Sequence, residues 1–333
     1  MRTLNYAGAI REGHAQLLKT DPRVFVLGQG LWSPWYAGST LKELDVDFGV
    51  DRVIDSPVSE NATTGAAVGA AIAGMRPIVF HPRMDFMLLA VDPIVNQASN
   101  WSYVFNGAAS VPLVIRSVIN RRGEQGAQHS QALQAMYAHI PGLKVVMPAT
   151  PADAKGLLIS ASQDGNPIVY IDDRMLYAEE GHVPEEMYST PIGKAAIRRE
   201  GGDITIVATS RMVMEAVKAA EILAEQDVEA EIVDLRTIKP FDQETILESV
   251  AKTGRLVIVD EAWKTGSIAG DISATVCEQG FDLLQAPIAR VCLPNCPAPA
   301  SQALEQAYYL SESDIIAAVQ RTVGLKRSNR KAA

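Results

Sequence analysis

Short apolar runs recur along the chain and alternate with longer stretches whose apolar residues return every three to four positions. That is the pattern of strand–helix–strand units built around a parallel sheet. In the first part, Val24-Phe25-Val26-Leu27, Val53-Ile54, Pro77-Ile78-Val79-Phe80 and the runs 111–115, 143–147 and 167–171 predict strands. Helices are expected near 5–19, 62–74, 87–104, 131–138 and 151–163. The last has the clearest start: Thr150 suits the cap, Pro151 the first turn, and Asp153 sets an acid near the positive end of the dipole. Residues 172–192 break the rhythm with charges, Pro and Gly, and read as a linker region. A second series follows, with strands 204–208, 230–233, 256–259 and 288–291 and helices near 212–226, 243–252, 266–280 and 312–323. The expectation is an α/β chain of two parallel-sheet domains, the first over 1–190 and the second over 191–325, with a basic tail at 326–333.

One stretch departs from ordinary core composition. Between Ala62 and Gly74 the predicted helix is almost all Ala, Gly and Thr with no charge, so another backbone or a flat ligand can approach it closely. At its head stands one acid, Glu60, just after the apolar Val53-Ile54, where a parallel strand hands over to a helix. That is the usual ligand-binding edge of an open α/β sheet. Glu60 is a candidate for chemistry there; the plainer reading is that it complements the helix dipole.

The chain of 333 residues has 47% hydrophobic content, ample for two cores without staples. Cys277, Cys292 and Cys296 are an odd set that argues for a reducing compartment; Cys292 and Cys296 lack the further ligands of a zinc site and read as structural. No apolar run has the length of a membrane span, and the N-terminal stretch carries charges throughout, so the expectation is a cytoplasmic protein with no membrane partner. A net charge of −9 disfavours nucleic acid, and the one basic cluster, KRSNRK, falls in the tail.

Two further clusters carry candidate chemistry. His129 sits in GEQGAQHSQ, a loop directly after an expected buried strand, where functional groups are common; a hydrogen-bonded structural role is the alternative. In HPRMDFMLLAVDPIVNQ, Phe86 and Met84 could wall a flat ligand or simply fill the core, and Asp85 and Asp92 offer polar contacts. Neither G-x-G-x-x-G nor G-x-x-x-x-G-K-[ST] occurs, so the chain has no phosphate cradle of those kinds.

Ten blocks, in order, resemble one family: RVIDSPVSE, GAAVGAAIAGMRPIV, DFMLLAVDPIVNQAS, VPLVIR, GAQHSQALQAMYAHIPGLKVVMPATPADAKGLL, NPIVYID, PIGKAAIRREGGDITIVA, AEIVDLRTIKPFD, SVAKTGRLVIVDEAW and APIARV. From about residue 3 to 323 the chain is similar to the β subunits of the thiamine-diphosphate-dependent decarboxylase component of 2-oxo acid dehydrogenases of pyruvate, branched-chain and acetoin type. The resemblance implies a transketolase-like pyrimidine-binding domain followed by a smaller C-terminal domain. It implies decarboxylation of a 2-oxo acid, with the acyl group passed to a lipoyl carrier. By resemblance, Glu60 contacts a ring nitrogen of the cofactor's aminopyrimidine and favours the imino tautomer that moves a proton. Phe86 packs on that ring, Val58 and Met84 line it, and His129 faces the reacting centre.

The resemblance also implies partners. In the family an α subunit holds Mg2+ and the diphosphate through a Gly-Asp-Gly motif; here Asp164-Gly165-Asn166 lacks the preceding glycine. The expectation is therefore an α2β2 heterotetramer, with a lipoyl acyltransferase as a further partner. A structural K+ held by backbone carbonyls would map to Leu113, Ala161, Asp164 and Asn166. Two stretches depart from the common family pattern: Gly28-Gln29-Gly30 followed by Leu31-Trp32-Ser33-Pro34-Trp35, and Phe80-His81-Pro82-Arg83. They leave room for an alternative, a thiamine-diphosphate-dependent carbon–carbon bond-forming transferase that acts with an α partner in biosynthesis. A catalytically silent scaffold is a third reading, which Glu60 and His129 argue against.

Overall fold

A computed structural model of the chain describes residues 2–33 and 40–324, so Pro34, Trp35 and the basic tail lie outside the described residues. The chain forms two compact units. The first comprises Met1–Gly193 with Arg236–Pro240 and Pro297–Gln302. Its sheet has seven strands in the order Thr237–Lys239, Lys144–Val146, Ile168–Asp173, Val114–Ile119, Arg76–His81, Val24–Gly28 and Val53–Asp55. All neighbours run parallel except Thr237–Lys239, which is antiparallel to Lys144–Val146. Four of the five inner strands, 24–28, 76–81, 114–119 and 168–173, are buried almost throughout, as strands of a sheet covered on both faces should be.

The second unit holds a five-stranded sheet, ordered Ala289–Leu293, Leu256–Trp263, Ile204–Ala208, Ala230–Asp234 and Ala196–Arg199, with only the last strand antiparallel. Helices Arg211–Ala224 and Glu312–Thr322 pack together against this sheet. No helix among the described residues is long and apolar enough to cross a membrane.

Several elements differ from the sequence reading for identifiable reasons. The strand expected at 111–115 begins at Val114, because Pro112 has no N–H to give a ladder. The single helix expected over 87–104 is broken into a 3-10 turn Phe86–Ala90, a wide π turn Pro93–Ala98 and a short α-helix Trp101–Val104; Pro93 cannot supply the hydrogen bond that would continue it. Helix Pro151–Gln163 has the expected bounds, with the Asp153 N–H donating to Thr150 Oγ1 at 3.2 Å. Within the presumed linker, Glu180–His182 pairs with Thr3–Asn5 as a small antiparallel ribbon.

Two buried cations fasten the first unit. Arg116 and Asp172, both wholly buried on adjacent strands, form a bidentate pair at 3.1 and 2.9 Å, and Tyr177 donates to the same carboxylate at 2.5 Å. The guanidinium also lies over the Phe80 ring, 4.9 Å from its centroid. Burial opposes its charge, but the Asp172 carboxylate outweighs that and holds Arg116 firmly protonated. Lys155, also wholly buried, donates to Glu12 at 2.6 Å and to the carbonyls of Pro184 and Glu186 at 2.7 and 2.8 Å. It thereby ties the segment leaving this unit to helices Tyr6–Thr20 and Pro151–Gln163.

Removing one partner of such a pair strands the other charge away from water. Asp172→Asn should lower the unfolding free energy in urea by about 3–5 kcal/mol; an unchanged transition midpoint would contradict the role given to the pair.

Candidate active site

In the first unit the chain runs from strand Val24–Gly28 outward to Val53–Asp55, then returns to the opposite side of Val24–Gly28 with Arg76–His81. Where strand order reverses in this way, the loops at the carboxyl ends part and leave a crevice, the general ligand site of open α/β sheets. The strands meet tightly there: a Cβ on Gly28 would lie 2.5 Å from the Phe80 carbonyl oxygen, so only glycine fits. The turn that follows is pinned by Asp55, which accepts the N–H groups of Gly30 and Leu31 at 2.5 and 3.1 Å. Trp32, 48% exposed, donates its indole N–H to the Val53 carbonyl at 2.8 Å.

Glu60 opens helix Glu60–Ile72 after Ser59 and is only 7% exposed. Residues 60, 64, 67, 68 and 71 form the buried stripe of this helix, so the acid shares the face that turns into the unit. The opposite face, Asn61, Ala62, Gly65, Ala66 and Gly69, is exposed. One turn along, Thr64 Oγ1 lies 3.2 Å from Nε2 of His81, a buried residue at the end of strand Arg76–His81. This bond ties the Glu60 helix to the strand that leads to Phe86. Burial keeps His81 neutral, lowering its pKa from 6.5 to about 4. Among the described residues no cation pairs with Glu60.

The loops after strands Arg76–His81 and Val114–Ile119 bring the other candidates together. Phe86 and His129 meet edge to face, with ring centroids 5.3 Å apart. Met84 is wholly buried: its N–H donates to Val118 O at 2.9 Å and its sulfur accepts the Leu133 N–H at 3.2 Å. In the chain alone it therefore fills the core, one of the two readings the sequence left open. Val58 is 69% exposed just before Glu60. Asp92 is exposed and accepts from Asn96 at 2.7 Å, on the outside of its turn.

The path from strand Val114–Ile119 to His129 is conformationally costly. Arg122, Gly123 and Glu124 all have positive φ, at 64°, 66° and 61°, a run that two non-glycine residues adopt only under constraint. Arg83 reaches this loop from the neighbouring one: its Nη1 donates to Pro82 O at 2.7 Å, and Nη2 and Nε lie 3.0 and 3.2 Å from the Asn120 side-chain amide, which accepts from both once its oxygen is turned toward the guanidinium.

The four residues expected to offer carbonyls to K+ cluster at the opposite end of the sheet. Ala161 ends helix Pro151–Gln163, Asp164 and Asn166 follow it, and Leu113 O accepts the Ile168 N–H at 2.9 Å. Arg76 Nη1 donates to the carbonyls of Ser162 and Asp164 at 2.7 and 3.1 Å. Burial works against ionised Asp164, but hydrogen bonds from Lys144 and Asn166 hold its carboxyl below the ordinary value. The guanidinium of Arg76 thus already answers part of the negative end of this helix dipole, at the Asp164 carbonyl itself. Among the described residues no set of three or more His, Cys, Asp or Glu could hold a metal.

Residues 2–179 match the family described as Transketolase, pyrimidine binding domain, and residues 193–315 match Transketolase, C-terminal domain. Among curated proteins the chain is 46% identical to the acetoin:2,6-dichlorophenolindophenol oxidoreductase subunit beta of Cupriavidus necator, over 97% of this chain and 98% of that one. It is 41% identical to the pyruvate dehydrogenase E1 component subunit beta of Rickettsia felis, over 94% and 96%. The chain belongs to the transketolase-like family that contains these β subunits. A solved split-gene transketolase, described as an inactive beta4 tetramer, has the same fold at 22% identity, with a TM-score of 0.80 over 97% of this chain and 99% of that one.

Within this family frame, sequence reasoning flagged His81 only as a departure from the common pattern. Its bond to Thr64 depends on a strand and a helix that sequence alone does not dock. The unfolded chain takes up a proton on His81 below about pH 6.5, whereas the folded chain resists until about pH 4. Stability is therefore lost as pH falls through that interval, by up to about 1.4 kcal/mol per pH unit. His81→Gln should lose less stability than the wild type between pH 7 and pH 4.5 in urea titrations; parallel losses would remove His81 from this account.

Proposed function

We propose that the chain is the β subunit of a thiamine-diphosphate-dependent 2-oxo acid dehydrogenase, an oxidoreductase of the pyruvate and acetoin dehydrogenase kind. It acts with an α subunit in an α2β2 heterotetramer, decarboxylates a small 2-oxo acid and passes the acyl group to a lipoyl carrier on an acyltransferase. The observation that carries this reading is Glu60: a carboxylate taken out of water at the ligand-binding edge, with no cation beside it among the described residues. Such a group is costly unless a ligand answers it.

Thiamine diphosphate, when bound, supplies the carbon centre that adds to the 2-oxo carbonyl and holds the electron pair released with carbon dioxide. The residues of this chain do the rest. Glu60 hydrogen-bonds a nitrogen of the aminopyrimidine and exchanges a proton there, the work of a general acid–base group. Phe86 offers an aromatic face to the ring and Val58 an exposed apolar edge, while Met84, buried beneath, joins the flanking loops through Val118 and Leu133. His129, held against Phe86, positions the substrate carboxylate and moves a proton at the reacting centre. The diphosphate and Mg2+ fall to the α subunit, in keeping with the lack of both glycine-rich phosphate motifs, G-x-G-x-x-G and G-x-x-x-x-G-K-[ST], in this sequence. The carbonyls of Leu113, Ala161, Asp164 and Asn166 take a structural K+.

Glu60→Gln should leave the heterotetramer intact on gel filtration while lowering turnover of 2-oxo acids roughly 10²–10⁴-fold; near-normal turnover would take the role from Glu60. The purified chain without its partner is expected to bind thiamine diphosphate weakly in calorimetry. Tight binding by the chain alone would contradict the shared site.

A further inference from the structure

Asp85 lies in sequence between Met84 and Phe86 and is 8% exposed. Its Oδ1 accepts two hydrogen bonds from one residue, the backbone N–H of Gln131 at 3.2 Å and the Gln131 side-chain amide at 2.9 Å. Gln131 stands two places after His129. On the same strip, Met84 grips Val118 before the loop and Leu133 after it. His129 itself has weaker moorings: its N–H reaches Gly126 O at 3.5 Å, and its ring meets Phe86. The place of the imidazole is therefore set mainly by what holds Gln131.

The second oxygen, Oδ2, is buried and has no hydrogen-bond partner among the described residues. A half-satisfied buried carboxylate costs free energy, and side chains of this kind persist where a ligand completes them. We propose that Asp85 is the positioning residue of His129, with Oδ1 fixing the loop and Oδ2 kept as acceptor for an N–H or O–H donor of the bound ligand. The inference rests on His129 facing the substrate in the reaction proposed above.

The two oxygens can be separated by substitution in the complex of this chain with its α partner. Asp85→Ala removes both acceptors. Asp85→Asn keeps one oxygen, which the two Gln131 donors draw toward themselves, and replaces Oδ2 by an N–H group. Deuterium exchange of peptides spanning 127–133 needs no ligand and reads the loop directly. Asp85→Ala should speed exchange there at least roughly ten-fold and lower kcat by roughly ten- to a hundred-fold, the scale of a lost charge-assisted hydrogen bond. Asp85→Asn should restore exchange protection and most of kcat, yet raise KM for the 2-oxo acid or the dissociation constant of thiamine diphosphate roughly ten-fold. Unchanged exchange in Asp85→Ala overturns the proposal, as does an Asp85→Asn complex that matches the wild type in exchange, KM and cofactor affinity. If the wild-type complex turns over no 2-oxo acid, the functional reading fails, while the exchange comparison still decides the positioning role.

Discussion

A carboxylate withdrawn from water has to be answered by a cation, by hydrogen-bond donors or by a ligand. Around Glu60 the described residues provide no cation, and the helix start alone gives only a partial positive charge. The features around the crevice make sense as ways of holding that acid still and unneutralised. Its helix is locked to strand Arg76–His81 through Thr64 and His81, and His81 is kept neutral by burial, so it contributes a hydrogen bond without contributing charge.

The same economy governs the rest of the first unit. Two charges buried for structural ends are paired within the chain: Arg116 with Asp172, Lys155 with Glu12 and three carbonyls. The first pair stiffens strand Val114–Ile119, whose carboxyl end leads into the His129 loop, and the second fastens two helices of the unit to each other. The loops themselves are stitched across by Met84, Asp85 and Arg83, and the left-handed run at Arg122–Glu124 shows that the approach to His129 is held away from relaxed backbone geometry. Strain of this kind persists only where the surroundings over-determine the conformation.

Much of the scaffold was legible because it rests on local pattern. Helix Pro151–Gln163 carries its own cap, first-turn proline and acid, and the strands 24–28 and 204–208 announce themselves as apolar runs. Glu60, Phe86 and His129 were legible as types of residue in the right kind of loop. What the sequence concealed was long-range. Thr237–Lys239 is three residues long and joins a sheet whose other members lie far away in the chain. Thr3–Asn5 and Glu180–His182 are polar and half-exposed, without apolar alternation to mark them. The grip of Asp85 on Gln131 spans 46 positions, and nothing local in either residue foretells it. Met84 stayed open between ligand wall and core because its burial depends on the docking of Leu133.

The account's central claim concerns one coenzyme divided between two polypeptides. A crystal structure of the heterotetramer with thiamine diphosphate tests it most directly. The account predicts the aminopyrimidine nitrogen within about 2.6–3.2 Å of a Glu60 carboxylate oxygen, with the diphosphate held by the other subunit. A ring bound away from Glu60, or a coenzyme gripped at both ends by this chain, would contradict it.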